Sequence, residues 1–183
     1  MNQNINGSVY ERKSEQTLFG MPLVHISLGK GAKTAKGIVA IGNMAVGVVS
    51  IGLISAGVIS VGLLSLGLLG FGTLVLGLLA SFGGISIGTF AFGGIAIGIF
   101  TFGGLSAGMF TYGGLSVASH IAVGGHAYGH VAVGQTAAEG VRTFVDSSPH
   151  FADIDAEEVR VAIREEFPNL ANWIIRWMTS IFN

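Results

Sequence analysis

Residues 46–72 read VGVVSIGLISAGVISVGLLSLGLLGFG, and glycine returns at every fifth position: Gly47, Gly52, Gly57, Gly62, Gly67 and Gly72. Nearly everything between is Val, Ile, Leu, Ala or Ser. Two readings compete for such a run, a bundle of membrane helices or a repeat architecture. A helix turns about 100° per residue, so glycines five apart step about 140° and line no face. The small-xxx-small packing of membrane helices needs a spacing of four. No charged residue or Pro marks a turn between spans. The five-residue period therefore decides for a repeat, which is the feature to seek before secondary structure is assigned.

Framed as small, apolar, Gly, variable, large apolar, the chain reads Ser50-Ile-Gly-Leu-Ile54, Ser55-Ala-Gly-Val-Ile59 and Ser60-Val-Gly-Leu-Leu64. Later it reads Ala91-Phe-Gly-Gly-Ile95, Ala96-Ile-Gly-Ile-Phe100 and Thr101-Phe-Gly-Gly-Leu105. The frame holds from Ala35 to Leu79, slips one residue at Ala80, and holds from Ser81 to His120. It slips again at Ile121 and holds from Ala122 to Thr136, for twenty pentads in all.

This block resembles the pentapeptide-repeat family over residues 35–136, on its period. The resemblance implies a mainly β chain: a right-handed quadrilateral β-solenoid with one pentad per side and about five coils. It also implies that the Gly slot and the large slot point inward, here Val49, Ile54, Ile59, Leu64, Phe90, Ile95 and Phe100, with Gly suiting a narrow interior. The family's outward positions are usually polar, whereas here they are apolar: Ile51, Leu53, Val61, Leu63, Phe92 and Phe102. The chain as a whole is similar to a group of bacterial Gly-rich repeat proteins, through residues 17–42 and the repeats that follow. That likeness implies a fold and no activity.

Charge confirms how unusual the exterior is. The chain has 183 residues, half of them apolar, 10% charged, 30 Gly and no Cys. From Gly37 to Ala138 there is no Asp, Glu, Lys or Arg. Soluble domains normally charge their surface. We therefore expect residues 51, 53, 61, 63, 92 and 102 to face membrane lipid. A β-solenoid pairs its backbone from coil to coil, which meets the bilayer's demand that N–H and C=O groups be satisfied. Five coils at about 4.8 Å make roughly 24 Å, against a hydrocarbon core of about 30 Å. The rival expectation is a homo-oligomer or filament in which apolar walls cover one another.

Three segments follow: 1–34, a polar stretch and β cap; 35–137, the solenoid; and 138–183, a linker and amphipathic helices. In the first, Gly20 and Pro22 punctuate a β-prone run from Leu18 to Leu28 that can pair with the first coil. Lys30, Lys33 and Lys36 then place this end on the cytoplasmic side of a bacterial inner membrane by the positive-inside rule. No cleavable secretory signal is legible. In the last segment, Asp155 to Glu158 has the form of a capping box, and Val159, Ile163 and Phe167 mark one face. Pro168 breaks the helix and Asn169 is placed to cap a second. That second helix aligns Leu170, Trp173, Ile174, Trp177, Met178 and Ile181 on one stripe. It is expected to fold over the last coil as a cap, or to anchor in a bilayer interface through its tryptophans.

Chemistry is sparse, and we expect no enzyme and no cofactor. His120, His126 and His130 are the weak metal candidates, with His120 and His126 inward and His130 outward in this frame. No Cys, Asp or Glu lies close in sequence to complete a site. A small transporter or sensor built on these histidines is the third functional class. The stretch GKGAKT, residues 29–34, fails as a phosphate loop because Ala32 stands where Gly must precede Lys33. A net charge of −1 argues against nucleic-acid binding. The charge-free wall lacks the acidic surface by which some pentapeptide-repeat proteins mimic DNA. Inward Leu, Ile and Phe would leave no polar lining for a pore.

Overall fold

A computed structural model describes residues 3–6, 9–14, 17–18, 21–29, 34–148, 151 and 154–180. Gly20, Lys30, Lys33 and Ile181 lie outside them. The chain is a parallel β-solenoid followed by two helices. Its strands are β1 (Gln3–Asn6), β2 (Val9–Lys13), β3 (Thr17–Leu18), β4 (Met21–Pro22), β5 (Val24–Gly29), β6 (Thr34–Tyr128), β7 (Val131–Glu139) and β8 (Arg142–Val145). The helices are α1 (Ala156–Glu166) and α2 (Asn172–Thr179). The chain forms two compact units, residues 1–95 and 96–183.

In the first unit, the glycines reveal the coil. A Cβ built on Gly57 would lie 2.0 Å from the carbonyl oxygen of Gly47, and one on Gly72 would lie 1.8 Å from that of Gly62. Each coil thus takes ten residues, two pentads. Across the slip at Ala80 the spacing is eleven, with Gly83 above Gly72 and Gly88 above Gly77, and it returns to ten with Gly93 above Gly83. This differs from the expected four pentads per coil, so the coils are smaller and more numerous. Residues 34–95 wind about six coils, a stack of roughly 29 Å.

The interior also differs from the expectation. The buried residues are those of the small slot: Ala35, Ala40, Ala45, Ser50, Ser55, Ser60, Ser65, Val75, Ser81, Ser86 and Ala91. The large residues Ile54, Ile59, Leu64 and Ile95 are exposed, and Val49 and Phe90 are half-buried. The physical reason is width. A coil of two pentads brings its two inward side chains face to face, and only small ones fit. Thus the Ser65 hydroxyl donates to the Ser60 carbonyl at 2.8 Å and its oxygen meets the Ser60 hydroxyl. Glycine has a different task from the one expected. It stands where one coil rests on the carbonyl of the coil before it, a close approach that no Cβ permits.

The N-terminal strands pair with the first coil. β5 runs parallel to the start of β6, Val24 opposite Val39, and β2 covers the other edge of β5 antiparallel. His25, buried on β5, accepts the Lys36 N–H on Nδ1 at 2.9 Å.

The second unit repeats the same inward file: Ala96, Thr101, Ser106, Thr111, Ser116, Ala122, Ala127 and Ala132 are buried. The Ser106 hydroxyl donates to Ser116 at 3.2 Å, which donates to the Val123 carbonyl at 2.8 Å. β6 passes into β7 in parallel, Ile121 opposite Val131, and the register shifts between Gly124 and His126. β8 adds to β7 with Val131 opposite Arg142.

Candidate functional site

The first candidate surface is the wall of the first unit. With the small slot inward and Gly against the neighbouring coil, the second, fourth and fifth slots of each pentad face out. Ile51, Leu53, Val61 and Leu63 are all exposed, Leu53 by 53% and Leu63 by 56%. Leu78, beside the slip, reaches 78%. Phe92 is half-buried because its ring stacks on Phe82 at 4.9 Å, and Phe82 stacks on Phe71 at 5.1 Å. Every one of these side chains is uncharged. A shallow groove of about 690 Å³ runs along this wall, floored by Gly57, Gly67, Gly77 and Gly88 and flanked by Leu66 and Leu76 on one side and Leu68 and Leu78 on the other.

The second surface, in the second unit, is covered by the helices. Asp155 caps α1 by accepting the Glu157 N–H at 2.8 Å, and Val159 and Ile163 are buried. α2 begins at Asn172 with Ala171 as its cap residue, so Asn169 is not the cap. Pro168, Asn169 and Leu170 form the turn between the helices. On α2, Ile175 and Met178 are buried, Ile174 is half-buried, and Trp173 and Trp177 remain exposed, Trp173 by 60%.

Among the described residues, these helices meet the side of the stack in the second unit. The Trp177 ring meets Phe100 edge-on at 5.9 Å and Phe102 at 5.2 Å, and Trp173 tilts on Phe100 at 6.1 Å. Phe102, expected to face lipid, therefore faces α2. Phe100, expected inside the coil, lies outside it and is buried by outside cover: Phe110 stacks on it at 5.1 Å and the tryptophans lie over it. Phe167, at the end of α1, stacks on His120 at 4.8 Å and meets His130 edge-on at 5.2 Å. Residues 100, 110, 120 and 130 recur at one coil's spacing, so the helices run along successive coils.

Polar bonds fasten the same contact. His130 Nε2 donates to Glu166 Oε2 at 2.8 Å. Arg142 reaches Glu165 through Nη2 at 2.8 Å and Glu166 through Nε at 3.3 Å. The hydrogen bond from His130 is the chief reason the Glu166 carboxyl sits below its ordinary pKa. Desolvation opposes it, and Arg142 adds to the lowering.

His120 and His126 do not occupy the inward places expected of them, whereas His130 faces outward, onto Glu166 and Phe167. His120 is half-buried against Phe110 and Phe167, His126 is exposed, and the inward positions nearby belong to Ala122 and Ala127. Two-pentad coils leave no interior room for an imidazole. Among the described residues, no three His, Asp or Glu side chains converge as metal ligands. No described helix is long and apolar enough to cross a membrane, which says nothing of strands.

Comparison with protein-family models, with curated proteins and with solved structures gives no match. The parallel solenoid is therefore established by the coordinates alone. The aromatic series at 100 and 110, continued by His120 and His130, is a ten-residue signal visible in the sequence. The clasp of Glu165 and Glu166 on Arg142 and His130 carries no such signal.

Proposed function

We propose that the wall of the first unit faces membrane lipid and that the protein is a non-enzymatic scaffold, a membrane-embedded solenoid offering a fixed platform. The observation that supports this reading is the file of exposed large apolar side chains in the outward slots, among them Ile51, Leu53, Ile54, Val61, Leu63 and Leu64, with Lys36 the last charge before residue 95. Full burial of such a side chain is worth about 1.5–3 kcal/mol, and the exposed part of each forgoes its share, a cost a monomer in water would bear many times over. About six coils give roughly 29 Å, close to the hydrocarbon thickness of about 30 Å. The N-terminal end of the unit would then meet the interface, where β2 covers β5 and water can satisfy what remains open. The pentad is retained as a relative of the pentapeptide repeat, wound two to a coil.

A second reading has its own support. The glycine-floored groove between the Leu66–Leu76 and Leu68–Leu78 columns is a shape into which side chains of another copy can seat, so that walls would cover one another as an oligomer. Flotation with liposomes separates the two. The membrane reading expects the protein in the lipid fraction and resistant to extraction by high salt and alkali. Particles that stay at the bottom of the gradient and remain β-rich would favour self-assembly and reject the lipid-facing wall.

A further inference from the structure

Where the end of α2 lies beside the first turns of α1, Arg160, Trp173, Arg176, Trp177 and Ser180 line an open cleft of about 590 Å³. We propose that this cleft binds the phosphate of an anionic phospholipid headgroup. The inference rests on the membrane reading above and adds to it a specific lipid contact.

Charge is the first argument. In a chain whose repeats carry none, this cleft gathers two guanidinium groups. Arg160 is held in place by Thr179, whose Oγ1 accepts from Nε at 2.9 Å, and by Glu157, which accepts from Nη1 at 2.9 Å. Glu157 offsets one charge, and the cleft keeps a net positive charge. Arg176, in the last turn of α2, is exposed and makes no ion pair among the described residues. Arg142, by contrast, is already clasped by two carboxylates. A planar guanidinium with free N–H groups matches a phosphate bidentately.

Position is the second argument. Two indoles line the same cleft, each apolar in body with one N–H. Trp is the side chain that settles at headgroup depth. The cleft thus pairs a donor for the phosphate with rings for the boundary beneath it. A soluble anion would use the guanidinium groups and make no use of the part of the Trp173 indole that stays exposed beyond its contact with Phe100.

The test uses the full chain in vesicles of brominated phosphatidylcholine, with and without phosphatidylglycerol, and reads flotation and tryptophan quenching together. The chain has two Trp, both on α2, so quenching reports this helix alone. The proposal expects flotation with both vesicles, and a gain in quenching with phosphatidylglycerol that Arg176→Gln abolishes and Arg176→Lys partly restores. Arg176 is exposed, so the variant should keep the fold, and an unchanged circular dichroism spectrum checks this. Equal quenching in both vesicles, or a gain that survives in Arg176→Gln, overturns the headgroup site and leaves the membrane reading standing. Failure to float with either vesicle overturns both.

Discussion

At the scale of single residues, two kinds of glycine sit side by side in the first unit. A Cβ on Gly57 would meet a carbonyl at 2.0 Å, whereas one on Gly94 would meet a carbonyl at 3.1 Å and nothing else. Gly57→Ala must push two coils apart and should destabilise by about 3 kcal/mol, the upper range for overpacking. Gly94→Ala asks for a few tenths of an ångström and also stiffens the unfolded chain, so its effect should stay within about 0.5 kcal/mol of zero. Unfolding midpoints in denaturant compare the two, and equal losses would refute the stacking role given to the third slot. The period of five was legible in the sequence because it repeats this close approach. The direction of each slot was not. Ser50 and Ile54 both suit a strand, and only the width of the coil decides that Ser turns inward and Ile outward.

At the scale of elements, the docking of α1 and α2 combines aromatic cover with a carboxylate clasp. Glu166 has a lowered pKa in the folded state, so its contribution is present above the ordinary carboxylate value. It is lost as pH falls through the lower folded value. Docking should therefore hold from neutral pH down to about 4.5 and weaken below it. Tryptophan emission shifting to the red with rising quencher access would report the release, and far-ultraviolet circular dichroism should keep its β signal. Glu166→Gln should loosen the helices at neutral pH and flatten the acid transition. An acid transition unchanged in that variant would assign it to another group. The two helices themselves were legible from Asp155, from the apolar positions of α1 and from Pro168. Their place was not, because the receptor is a column of rings one coil apart, and the coil length is a tertiary fact. The same ignorance of coil length put His120 and His126 inside.

At the scale of the whole molecule, a mainly β solenoid followed by two helices was readable from period and composition. The number of pentads per coil was not, since a five-residue repeat is compatible with any whole number of sides. An upright solenoid in a bilayer aligns its coil-to-coil C=O groups with the membrane normal. Polarised infrared spectroscopy of oriented, reconstituted protein should therefore give a strand amide I band polarised along that normal. Polarisation in the membrane plane would mean coils lying flat and would reject a spanning first unit.

The ten-residue coil has a consequence for inheritance. A tandem duplication in the gene that encodes one full coil inserts a copy whose neighbours above and below are what they were before, so the solenoid can grow by unequal crossing-over with little penalty. A duplication encoding a single pentad moves every later residue to the opposite side of the stack. Placed between Phe110 and β7, it would part Phe100 and Phe110 from Trp173 and Trp177, which follow in the chain. Natural variants of this chain should accordingly differ in length by pairs of pentads and only rarely by one.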